Sequence, residues 1–313
     1  MSAAGSDRGH PPPVPRIPAM LPELADRKRE VPADFDRVAG TYDTLVARNP
    51  GYLAHLRLSA DRLGLPEEGA GLRLLDLCCG TGLSTEALLA AYPRADVTGL
   101  DASVGMLDRA RSKRLPATFV EGDAMHPRDD GVEGAFDGIL MAYGIRNMPE
   151  PDVCLRRVRE LLAPGAPVVF HEYSVAGSRR ARITWNVVAF GIIIPSGLVT
   201  SGHTRIYRYL RRSVLTFDSV DGFEARLGRA GFADVHTEPV DGWQRGIVHS
   251  FCARRPDARV GGAGKMGGIG QVAHGDAARA FATLASGVGR QWHRQDQKGC
   301  GDSGCWPRAW VSR

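Results

Sequence analysis

Residues 74–85, LLDLCCGTGLST, constrain the fold of this 313-residue chain more than any other stretch. An apolar run ends in Asp76, and Gly80 and Gly82 bracket Thr81 where a helical pattern begins. Glycine tolerates positive φ and lets backbone approach a ligand closely, so a strand can turn sharply into a helix here. The helix N-terminus then presents unpaired N–H groups to a carboxylate. Asp76, at the strand tip, is placed to accept a hydrogen bond from an ammonium group, directly or through water. Turns of this kind also join strands to helices with no ligand present, so a ligand site needs support from the strands downstream.

Apolar runs alternate with helical patterns, which argues for a mostly parallel sheet covered on both faces. The expected strands are Leu72–Leu77, Asp96–Leu100, Ala117–Val120, Phe136–Met141 and Pro167–Tyr173. The expected helices between them are Leu83–Ala91, Val104–Arg111 and Pro151–Leu162. Two further runs, Ala233–Val240 and Gly246–Ala253, flank Asp241-Gly242, a hairpin-type turn signal. The expected fold is therefore α/β: a Rossmann-like seven-stranded, mostly parallel sheet with a C-terminal antiparallel hairpin and helices on both faces.

About 20 residues after the glycine loop, the second strand ends in Asp101, which suits the two hydroxyls of a ribose. Asp101 also fits as a cap for the helix that follows Ser103. The third strand runs into Gly122-Asp123-Ala124, where a carboxylate can accept from an adenine amino group; a solvated turn is the plainer alternative. Three acids and a glycine loop at successive strand tips point to one ligand, because ligands of such sheets sit at those tips. A nicotinamide dinucleotide would want a third glycine where Thr85 stands, and its domains do not close on a hairpin.

The formal charge of +5 belongs to the ends of the chain: residues 257–313 carry +4, residues 1–30 carry +1, and 31–256 are neutral. A neutral central segment lacks the basic footprint of a nucleic-acid binder. Residues 1–30 are Pro-rich and then charged, and 257–313 are Gly-rich; both are expected to be disordered extensions of a catalytic domain at 31–256. Six cysteines, at 78, 79, 154, 252, 300 and 305, match neither a disulfide framework nor a metal site, so no metal is expected and a reducing cytoplasm suits them. No uninterrupted apolar stretch of about 18 residues is present, so membrane association is expected to be peripheral at most.

Several segments together carry a family resemblance. FDRVAGTYD at 35–43, YGIRNMPEPDVCLRRVRELLAPGAPVVFHEYS at 143–174, YRYLRRSV at 207–214 and GFADV at 231–235, with the glycine loop, resemble class I S-adenosylmethionine (SAM) methyltransferases. More narrowly, they resemble the ubiquinone/menaquinone C-methyltransferase group. The resemblance implies SAM as cofactor, contacts from Thr81, Asp101, Asp123 and Ala124, with Ala102 beside Asp101, and a further contact position at Ala142, where the group often has serine. It also implies a quinone-like acceptor. The glycine-His-Arg-aromatic stretch of the quinone enzymes is not found, and NPGYLAHLRLSADRL occupies 49–63 instead. The acceptor is therefore open between a quinone precursor, another isoprenoid or aromatic lipid, and a polyketide-like molecule; a non-catalytic cofactor-binding partner protein is a further alternative.

Methyl transfer from a sulfonium needs alignment and desolvation above all, and a base only where the acceptor must lose a proton. Arg146 in GIRN is placed to stabilise a phenolate or enolate by charge, or else to pair with a carboxylate such as Glu172. Tyr42 and Tyr143 are candidates to cover the cofactor or to orient the acceptor, with plain packing as the alternative. His171, Glu172, His203 and His249 are candidate bases among which the residues do not choose. The apolar run WNVVAFGIIIP at 185–195 reads as a lid lining a lipophilic acceptor pocket, as a buried helix, or as a homodimer face.

Overall fold

The computed structural model describes residues 27–257 apart from 203. The expected tail after residue 257, His203, and the chain before residue 27 lie outside the described residues.

Strand faces follow the period-two alternation of the sequence. In β1 (Arg73–Leu77), Leu75 and Leu77 enter one core and Leu74 the opposite one. β4 (Gly138–Ala142) repeats this with Ile139 and Met141 against Leu140, and β5 (Pro167–Tyr173) with Val168 and Phe170 against Val169. With β2 (Asp96–Asp101), β3 (Ala117–Glu121), β6 (Ala233–Pro239) and β7 (Val248–Arg254), the sheet order is β3-β2-β1-β4-β5-β7-β6. Only β7 runs against the rest, pairing antiparallel with β5 and β6. The expected sheet and its terminal hairpin are thus observed.

One core is closed by α5 (Pro151–Leu161) and α9 (Val220–Arg229), through Cys154, Leu155, Phe223 and Leu227. The opposite core is closed by α2 (Tyr52–Asp61), α3 (Leu83–Ala91), α6 (Arg179–Val188) and α8 (Arg205–Thr216), through Leu56, Leu88, Trp185 and Val214. A third cluster joins α1 (Val31–Ala47) to Met106 of α4 (Val104–Ser112) and to Ile206 and Tyr207 of α8. This lays α1 across the carboxyl ends of the strands.

Three expectations need correction. The β6–β7 connection is not a two-residue turn: it spans 240–247 and contains a 3₁₀ turn, Gly242–Gln244. Burial decides this, because Val240, Gln244 and Ile247 are all covered and Gln244 Oε1 lies 2.9 Å from His55 Nδ1 of α2. Order also begins before residue 31. Residues 27–29 form a helical turn, Lys28 is buried, and its Nζ donates to the Met148 carbonyl at 2.9 Å. Finally, α6, a π-helical turn (Ala189–Ile193) and α7 (Ile194–Ser201) form one continuous 23-residue helical run, long and apolar enough by composition to cross a membrane. Scattered polar residues inside it conceal this from a search for uninterrupted apolar stretches.

Candidate active site

Strand order reverses direction between β1 and β4, the position where ligands bind sheets of this type. A cavity of about 410 Å³ opens there, within the usual range for small-molecule sites. Gly80 and Thr81 after β1, Asp101 and Ala102 at the end of β2, Asp123 and Ala124 after β3, and Ala142 at the end of β4 all line it. These seven positions share one cavity at the strand tips.

Asp76 and Gly82 do not line the cavity. The Asp76 carboxylate is fully buried and turns onto the helix that follows its strand, α3, where Oδ2 accepts from Ser84 Oγ at 2.8 Å and Thr85 Oγ1 at 2.6 Å. Its Oδ1 has no hydrogen-bond partner. Desolvation pushes its pKa up to about 7, against the pull of the two hydroxyls. Gly82 instead caps α3 with φ +83°, and a Cβ there would come within 3.3 Å of Ala110. Its role is packing.

Asp101 lines the cavity with both carboxylate oxygens engaged by backbone amides, while the cap of α4 is Ser103, whose Oγ accepts from Met106 N at 3.2 Å. Asp101 Oδ1 accepts from Ser103 N at 2.9 Å, shaping the start of α4, and Oδ2 accepts from Gly80 N at 2.8 Å, holding the glycine loop against β2. Burial raises its pKa, opposed by these amides. The loop is also held from above by α1: Thr81 Oγ1 donates to Asp43, and Asp36 accepts from Ser103 Oγ at 2.6 Å and Gly105 N at 2.9 Å. The segment FDRVAGTYD thus closes the site through its acids.

Two non-glycine residues lining the cavity adopt left-handed backbone, Cys78 (φ +63°) after β1 and Tyr143 (φ +57°) after β4. Gly144 makes their approach possible, since a Cβ on it would lie 2.9 Å from Cys78 Cβ and Sγ. Strain of this kind persists where the surroundings over-determine the backbone, and it clusters at functional sites. No residue pattern in the sequence signals it.

A second, mostly apolar cavity of about 550 Å³ lies beside the first. Phe35, Tyr42, Tyr52, Tyr143 and Arg146 line both. The Tyr52 and Tyr143 rings stack at 5.4 Å, and Tyr42 Oη lies 3.3 Å from Tyr52 Oη. Val188, Ile192 and Ile193, from the expected lid, line the apolar cavity, whereas Trp185 is fully buried against Tyr173. The segment is therefore part wall and part core.

Arg146 faces the junction but is held by Glu172. Its Nη1 donates to Glu172 Oε1 at 2.7 Å and to the Tyr143 carbonyl at 2.8 Å, and both side chains are buried. Burial works against the Arg146 charge, but Glu172 and the neighbouring tyrosine oxygens outweigh it and the guanidinium pKa rises. Burial raises the pKa of Glu172 despite Arg146.

His171 is not a base at this site: it lines neither cavity, and burial depresses its pKa to about 3. It holds Tyr143 instead. Arg62 Nη1 donates to Ser250 Oγ at 2.7 Å, Ser250 and Ser59 hydroxyls lie 2.7 Å apart, and Ser59 Oγ is 2.7 Å from His171 Nδ1. At the far end of this chain of contacts His171 Nε2 lies 3.0 Å from Tyr143 Oη, within hydrogen-bond distance. His249 lines neither cavity, and desolvation lowers its pKa to about 4. Lys28, in a segment whose composition suggests disorder, lines the cofactor-sized cavity, and burial, then Arg146, lowers its pKa to about 8. Among the described residues no cluster of metal-ligating side chains occurs.

The sequence profile of the ubiE/COQ5 methyltransferase family matches residues 25–253. Among curated proteins, the demethylmenaquinone methyltransferase of Thermus thermophilus is 33% identical over 204 residues, covering 64% of this chain and 91% of that protein. The ubiquinone/menaquinone biosynthesis C-methyltransferase UbiE of Syntrophotalea carbinolica is 34% identical over 235 residues, covering 71% and 93%. Among solved structures, the CurJ carbon methyltransferase superposes with a TM-score of 0.53 at 20% identity, covering 75% of this chain and 66% of that one, which is a likeness of fold.

Proposed function

Because this chain belongs to the ubiE/COQ5 methyltransferase family and is thereby a SAM-dependent methyltransferase, we propose that its acceptor is a lipophilic aromatic or isoprenoid molecule, with a quinone precursor foremost. The observation that carries the reading is the meeting of a polar, cofactor-sized cavity with a mostly apolar one at Tyr42, Tyr52, Tyr143 and Arg146. The relatives' names supply the quinone chemistry, and the cavity supplies the lipophilicity.

The residues present fit the cofactor. Carboxylates at two successive strand tips, Asp101 and Asp123, edge the cavity, and at Gly80 a Cβ would enter open space. In the proposed arrangement Gly80, Thr81, Asp101, Ala102, Asp123, Ala124 and Ala142 hold SAM. When bound, SAM supplies an electrophilic methyl group with an excellent leaving group. The chain's contribution is alignment and exclusion of water. Tyr42, Tyr52 and Tyr143 wall the junction, with the Tyr143 hydroxyl fixed by His171. Arg146, oriented by Glu172, places positive charge where an acceptor oxygen would develop negative charge.

Asp101→Ala is expected to weaken SAM roughly 10- to 100-fold, about 1–3 kcal/mol, through the lost charge-assisted hydrogen bonds and the release of Gly80 N. Isothermal titration with SAM, and with NAD as control, measures this. Unchanged affinity would leave Asp101 only the backbone amides of Gly80 and Ser103 to hold. The acceptor is tested by transfer of labelled methyl to a panel of demethylated quinone precursors, polyketide-like aromatics and hydrophilic catechols. Transfer to the hydrophilic members alone would overturn the proposal.

A further inference from the structure

Residues 174–217 contain seven arginines and no glutamate or aspartate, in a chain whose residues 31–256 sum to no net charge. Three of them, Arg179, Arg180 and Arg182, stand exposed at the start of α6. Arg205, Arg208 and Arg212 recur at helical spacing on the exposed face of α8, whose opposite face buries Ile206, Tyr209 and Val214. Between these groups the helical run from α6 to α7 exposes Ile183, Val187, Phe190, Ile192, Leu198 and Val199, each 55–85% accessible. Arg211 ties the two together: its guanidinium lies 4.3 Å from the Phe190 ring centroid, and its Nε donates to Asn186 Oδ1 at 2.7 Å. Among the described residues no ion pair engages Arg179, Arg180, Arg182, Arg208 or Arg212.

An apolar ridge flanked by cations, of which only Arg205 meets acids (Glu30 and Asp34), matches the chemistry of an anionic bilayer surface, where apolar side chains enter the headgroup boundary and arginines meet lipid phosphates. We propose that the α6–α7 ridge seats this protein on an anionic lipid surface as a peripheral attachment. Spanning is disfavoured because the inner side of the same run is part of the domain: Trp185 and Ala189 are buried in it, and Trp185 Nε1 donates to the Arg211 carbonyl at 3.4 Å. The same inner side, through Val188, Ile192 and Ile193, forms a wall of the apolar cavity. Docking therefore brings that cavity against the lipid.

Co-sedimentation of the full-length protein with vesicles tests this, with no acceptor or cofactor present, so that its outcome is independent of the acceptor reading. Binding is expected to vesicles of equal parts phosphatidylcholine and phosphatidylglycerol. It should be at least about tenfold weaker to phosphatidylcholine alone, and weakened by about 0.5 M salt. The triple variant Ile183→Ser, Val187→Ser, Val199→Ser, whose residues line neither cavity, should bind at least about tenfold less while retaining its melting temperature and its SAM titration. Arg180→Glu with Arg208→Glu should do the same from the charged side. Absence of binding by the folded wild type would overturn the proposal. So would binding that neither variant reduces, resistance to extraction at alkaline pH, or a vesicle-free dimer that the ridge variant dissociates, which would make the ridge a subunit interface.

Discussion

Arg146→Ala is expected to cost about 3–5 kcal/mol of folding stability, because it leaves the Glu172 carboxylate buried with its ion-pair partner gone. Glu172 would then keep only the Tyr173 amide, at 2.8 Å, and the Arg146 amide, at 3.4 Å. The double variant Arg146→Met, Glu172→Gln should recover much of the loss, since removing both charges removes the uncompensated one. Urea denaturation of the three proteins measures this. A single variant within about 0.5 kcal/mol of wild type would show that solvent or rearrangement satisfies Glu172. The double variant also separates stability from chemistry. Folded but lacking the cation, it should transfer methyl at least tenfold more slowly, equivalent to about 1.4 kcal/mol, if Arg146 stabilises charge on the acceptor.

Asp76→Asn should change how stability depends on pH. Burial raises the folded pKa of Asp76 from 3.8 to about 7, so between those values the native state binds more protons than the unfolded chain. The neutral carboxyl's contribution is complete at the acid end of that window and is lost as pH rises towards 7. Asparagine does not titrate, so the variant should gain relative to wild type on going from pH 4 to pH 8. The gain is on the order of 3–4 kcal/mol at about 1.4 kcal/mol per unit. His171 and His249 work in the opposite sense: their folded pKa values lie near 3 and 4, so stability is lost as pH falls below about 6.5. Subtracting the wild-type and Asp76→Asn curves cancels the histidines and isolates Asp76. A flat difference would mean that Asp76 is ionised in the native state at pH 4.

Much of the architecture was legible because it rests on local rules. Alternation of apolar residues places Leu74, Leu75 and Leu77 on opposite faces of β1, and the glycine loop ends that strand where a helix begins. Asp101 and Asp123 fall at successive strand tips, and the carboxyl ends of a parallel sheet share one edge. Their convergence on one cavity therefore follows from the strand assignments alone. The hairpin was legible as two apolar runs, but its connection was not, because Gln244 is drawn inward by His55, 189 residues away in sequence.

Asp76 shows the limit. Its place at the end of β1 is readable, but the direction of its carboxylate depends on the Ser84 and Thr85 hydroxyls competing with the cavity for it. Arg146 was readable with two roles, and the structure assigns it the Glu172 pair while leaving it at the cavity junction. Tyr143 and Cys78 in left-handed backbone, Lys28 folded under Met148, and His171 held by Ser59 all depend on partners distant in the chain. What the sequence determined by itself is therefore the succession of strands and the three helices between them, the strand-tip carboxylates and the family. Tertiary structure alone decided which polar atoms face the cavity, how Glu172 pairs with Arg146, and that an apolar ridge lies outward between arginines, because each depends on which distant atoms compete for the same space and hydrogen bonds.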